Sequence, residues 1–75
     1  KMKRYADRSG QSGVEAYRFD ATSIWVKFRN SDTLYQYSSK GRAGPRKVAR
    51  MKTLAEAGEG LSTYISQHAH DDYER

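Results

Sequence analysis

Seven side chains of this 75-residue chain are of the types that recognise a polyanion: Arg42, Arg46, Lys47 and Arg50 in one block, and Trp25, Lys27 and Arg29 in an earlier one. Cations displace the counterions condensed on a phosphate backbone, and an aromatic ring or a guanidinium plane gives a base a surface to stack on. In this reading the four later bases meet phosphates, and Lys27 and Arg29 extend their surface where the strands lie beside the helix. Trp25 is the stacking residue. The plain alternative is a solvated helix face, because bases also serve simply to keep a protein dispersed.

The net charge of +5 is unevenly spread. Residues 1–8 carry four bases and one acid, and residues 9–32 balance. Residues 33–55 hold six bases and no acid, whereas residues 56–75 hold five acids and one base. A basic block this one-sided points to an anionic partner, RNA or another polyanion, with an acidic protein as the second possibility.

Other chemistry is poorly served. There is no Cys, hence no disulfide framework, thiolate metal site or thiol nucleophile. No Ser stands in a nucleophile elbow, and no glycine-rich loop ends in Lys-Ser or Lys-Thr; Gly41-Arg-Ala-Gly44 is too short. His68-Ala-His70-Asp-Asp72 contains metal-ligand types, but residues two apart on a helix point in nearly opposed directions. The expectation is a non-enzymatic protein without catalytic residues, metal, cofactor or small-molecule substrate. No stretch approaches the ~20 apolar residues of a membrane span, and residues 1–8 are charged with no apolar run behind them. A cytoplasmic protein with no membrane partner is therefore expected.

The elements that must position these residues follow from periodicity. Hydrophobic residues make up 36% of the chain and charged residues 31%, which leaves material for one modest core and one domain. In residues 23–37, Ile24, Val26 and Phe28 alternate with Trp25, Lys27 and Arg29, and Asn30, Ser31 and Asp32 supply turn chemistry before Tyr35-Gln36-Tyr37. A two-residue turn at Asn30-Ser31 sets Val26 opposite Tyr35 and Ile24 opposite Tyr37, so both tyrosines join the apolar face. Val14 to Phe19 is strand-like, with Tyr17 and Phe19 on one side and Ala16 and Arg18 on the other. Pro45 suits the first turn of a helix in which Val48, Met51, Leu54 and Ala55 form the apolar stripe and Gly58 is the stop. Leu61, Tyr64, Ile65 and His68 repeat that spacing over a second short helix. The expected architecture is α+β, a three-stranded antiparallel meander followed by two helices packed on one face. Residues 1–12 are read as a disordered basic arm, 13–69 as the domain and 70–75 as an acidic tail.

The strand order, the Tyr35-Gln36-Tyr37 pair after a polar turn, the helix ending in Ala55-Glu-Ala-Gly-Glu-Gly60 and the following Leu61-Ser-Thr-Tyr-Ile65 together resemble the KTSC domain. That domain is named for its occurrence at the C-terminus of some lysyl-tRNA synthetases and also occurs as a stand-alone bacterial protein. The resemblance covers residues 13–68. The loop at residues 38–44 is longer than the family's, and Ser62 stands where an Asn is common. What the resemblance implies is a small RNA-binding module. The rival expectation is a protein-interaction module, or a phage or plasmid accessory factor, docking on an acidic protein.

Overall fold

A computed structural model describes residues 2–74; Lys1 and Arg75, the outermost residues of the arm and the tail, lie outside the described residues. The chain forms β1 (Lys3–Arg4), β2 (Val14–Phe19), β3 (Ser23–Phe28), β4 (Leu34–Ser38), α1 (Gly44–Ala57) and α2 (Leu61–His68). The strands make one antiparallel sheet in the order β1-β2-β3-β4. The α+β architecture with two helices agrees with the sequence reading, but the sheet has four strands where three were expected.

The additional strand comes from the arm. Lys3 pairs with Tyr17 and Arg4 with Ala16, and Tyr5 behind them is buried in the core. Residues 7–12 are held by Asp7, whose Oδ1 accepts the Ser12 N–H at 3.0 Å and whose carbonyl accepts the Gly10 N–H at 2.9 Å. Arg8 closes the far side: its N–H reaches the Gly58 carbonyl at 2.7 Å and its Nε the Ala57 carbonyl at 2.9 Å. These carbonyls end α1, where a cation also meets the negative pole of the helix. The arm is thus part of the fold, contrary to its reading as disordered, because strand pairing, one buried ring and two helix-end contacts outweigh its polar composition.

The β3–β4 register follows the turn argument: Ile24 pairs with Tyr37 and Val26 with Tyr35. Pairing nevertheless stops at Lys27 and Leu34, so the connection is wider than two residues, and Asn30 takes the left-handed φ of 64°. Between β2 and β3 the register shifts between Val14 and Ala16, a bulge at Glu15. The extra residue lets Val14 and Tyr17 face the same side and both be buried, which strict alternation forbids at a spacing of three.

Both helices lie on one side of the sheet. Val48, Met51 and Ala55 of α1 and Leu61 and Ile65 of α2 meet Val14, Tyr17, Ile24, Val26 and Tyr37 in a single core. Pro45 stands in the first turn of α1 and Gly58, at φ 76°, ends it. The tail also docks: Ala69 is buried, the Glu74 N–H reaches the Gln36 carbonyl on the edge of β4 at 2.6 Å, and Tyr73 packs on Tyr35 with ring centres 5.0 Å apart. The described part of the tail is therefore ordered, since β4 would otherwise present an open edge.

Candidate nucleic-acid interface

The outer side of α1 carries the arginines. Val48, Met51 and Ala55 turn inward, so Arg46 and Arg50, one helical turn apart, turn away from the sheet, and both are exposed. Arg42, in the loop just before the helix, is exposed as well. Its backbone N–H donates to Glu74 Oε2 at 2.7 Å, which ties the loop to the tail while leaving the guanidinium outward. None of the three guanidinium groups pairs with a carboxylate among the described residues. Lys47 differs, because its Nζ lies 2.6 Å from Asp72 Oδ2 and is already neutralised.

Trp25, Lys27 and Arg29 do not join this surface. The helices cover the side of Ile24 and Val26, so alternation puts Trp25 and Lys27 on the uncovered side, separated from α1 by the sheet itself. The single surface expected from the sequence is divided into two, back to back. Lys27 Nζ is 3.2 Å from Glu15 Oε1, and Arg29 Nη2 is 3.2 Å from Asp7 Oδ2, with its Nε donating to the Ser12 carbonyl at 3.3 Å. Trp25 is half-buried beneath Arg18, whose guanidinium carbon lies 3.9 Å from the ring centre. Arg18 was absent from the candidate residues. The signal that finds it is the β2–β3 register, which makes Arg18 the direct cross-strand neighbour of Trp25.

The tyrosines belong to the core. Tyr37 is buried, and burial pushes its phenol up to about 12, with Tyr35, Tyr73 and Asp72 adding to the shift. A phenol so held is neutral and no base at ordinary pH. Phe28, Tyr35, Tyr37 and Tyr73 line a mostly apolar hollow of about 310 Å³. His70 Nδ1 sits 3.0 Å from Asp71, and no group of three His, Cys, Asp or Glu side chains converges among the described residues. No helix among those residues is long and apolar enough to cross a membrane.

Fold and charge define a small two-layer α+β module with a row of arginines, free of carboxylates among the described residues, on its helical side and an aromatic–arginine pair on its open sheet. Against known proteins, the chain matches no family model, no curated protein and no solved structure.

Proposed function

We propose that the protein is a non-enzymatic, cytoplasmic RNA-binding module of KTSC type, which engages the phosphate backbone through Arg42, Arg46 and Arg50. The observation that carries this reading is that all three guanidinium groups are exposed and free of carboxylates among the described residues. Three other candidate cations, Lys27, Arg29 and Lys47, are each spent on an internal ion pair. An exposed pair of that kind adds little stability, whereas a free guanidinium releases counterions when it meets a phosphate. Arginine also suits the task geometrically, since its planar fork matches two phosphate oxygens at once.

Fluorescence anisotropy of a labelled RNA across a salt series tests the reading. Three phosphate contacts on a single strand give a slope of log K against log salt of about −2, and the double variant Arg46→Ala with Arg50→Ala flattens it by about 1.4. Affinity indifferent to salt and to both substitutions overturns the proposal.

The shortness of the helical row, three arginines rather than a dense patch, favours one rival, a short acidic protein segment lying along the same row. A stoichiometric protein partner that survives nuclease treatment in a pull-down supports that rival, and loss of all associated material to nuclease removes it.

A further inference from the structure

The uncovered side of the sheet carries a second cationic surface that the helical arginines do not explain. Two cross-strand rows run over it: Arg4, Ala16, Lys27 and Leu34, then Arg18, Trp25 and Gln36. Trp25 lies on β3, an interior strand, so its indole occupies the middle of the face. The guanidinium of Arg18 lies over that ring, its central carbon 3.9 Å from the ring centre, a cation–π contact. Alongside, a polar groove of about 560 Å³ runs past β1 and β2 and is lined by Arg4, Arg29, Glu15 and Asp7. Together the face and the groove hold four cations, Arg4, Arg18, Lys27 and Arg29, against the two carboxylates Glu15 and Asp7.

We propose that this face binds unpaired nucleotides, stacking a base on the Trp25–Arg18 layer while Arg4 meets the adjoining phosphate. The chemistry selects a single strand. A base in a duplex has both planes occupied by its neighbours, and only an unpaired one can lie on an indole or guanidinium plane. It also selects nucleic acid over a protein partner. Protein interfaces centre on a buried apolar cluster, yet Leu34, 45% exposed, is the one exposed large hydrophobic side chain among the described residues. Arg4 is exposed and pairs with no carboxylate among the described residues, whereas Lys27 stays with Glu15 at 3.2 Å. The inference rests on the proposed RNA reading for the class of ligand only. Its site is separate, and with α1 on the other side of the sheet the two surfaces contact different segments of a strand.

Trp25 is the only tryptophan in the chain, so its emission reports this face alone. The intact protein is titrated with a short single-stranded RNA and with a duplex of the same sequence, followed by Trp25 emission and by anisotropy of the labelled RNA. Quenching by the single strand, with little by the duplex, is the expected result. Arg18→Ala is expected to weaken single-strand affinity about tenfold, the size of one lost stacking contact. Arg4→Ala, at an exposed position where the fold is not at risk, weakens it severalfold, and circular dichroism verifies that both variants fold. Arg46→Ala with Arg50→Ala weakens binding on anisotropy but leaves saturating strand still quenching Trp25. If anisotropy shows binding while Trp25 emission stays constant and Arg18→Ala has no effect, the sheet-face site is overturned and the helical one survives. Equal quenching by duplex and single strand overturns the stacking mode, and absence of binding by either readout overturns both proposals.

Discussion

The Tyr5 hydroxyl accepts the Leu61 N–H at 3.2 Å across 56 positions of the chain. Leu61 opens α2, and its N–H is one of those that the helix cannot satisfy internally; Gly60 before it has no side chain to cap with. Both residues are buried, so water does not stand in for the phenol. Tyr5→Phe keeps the ring and removes only the acceptor, which isolates that contact. The expected loss is about 1–3 kcal/mol in urea unfolding, the cost of a buried donor left without a partner. A change within error would mean that the phenol adds nothing and that the ring, the strand pairing and the Arg8 contacts hold the arm. Arg18 shows the same principle on the surface, since its value as a stacking plane depends on Trp25 across the strand pair and not on its neighbours in sequence.

At the scale of elements, the end of α1 is where the arm and the helix depend on one another. Gly58 takes φ 76° to turn the chain out of the helix, and its N–H bonds the carbonyls of Leu54 and Ala55. The Cα side that a methyl would occupy is filled by the Ala6 side chain, so the arm can approach only because no Cβ is present. Gly58→Ala therefore meets two penalties, a left-handed backbone costing about 1–2 kcal/mol and a collision with the arm. The expected outcome is a loss of about 2 kcal/mol or more. In an Ala6→Gly background the collision disappears, and the loss falls to the backbone part alone. Equal losses in both backgrounds would separate the arm from the helix end. Gly58 as a helix stop was legible from its position after the apolar stripe, whereas its contact with Ala6 had no local signal.

For the whole molecule, the titrating groups set a pH window. Asp7 is held below its ordinary 3.8 chiefly by the Ser12 N–H, and Asp20 by the N–H groups of Thr22 and Ser23. The unfolded chain takes up protons that these folded carboxylates refuse, so their contribution is complete above 3.8 and is lost as pH falls through the lower native values. On the alkaline side, burial raises Tyr17 and, to about 12, Tyr37. Their contribution is complete below the ordinary 10.0 and is lost as pH rises toward the native value of Tyr37. Thermal melts by circular dichroism across pH are expected to show Tm falling below 3.8 and above 10.0. Ionisation of Tyr37 itself, followed by its own ring NMR signals because five other tyrosines absorb at the same wavelength, should appear only with unfolding; a Tyr37 phenolate in a still-folded protein would contradict its burial.

What the sequence determined by itself were the features written in short-range periodicity. Alternation in residues 23–37 specified which side chains share a face and the pairing of Ile24 with Tyr37, and the 3.6-residue stripe with Pro45 and Gly58 specified α1. Only the tertiary structure decided which cations remain free. Charge pairing reaches across the chain, from Asp72 back to Lys47 and from Asp7 forward to Arg29, and no local pattern records it. It likewise decided that β1 exists, because a two-residue strand has no period and forms through the burial of Tyr5. The separation of the candidate surfaces has the same origin: both helices pack on the side of Ile24 and Val26, which leaves the other side, with Trp25 at its centre, without a helix over it.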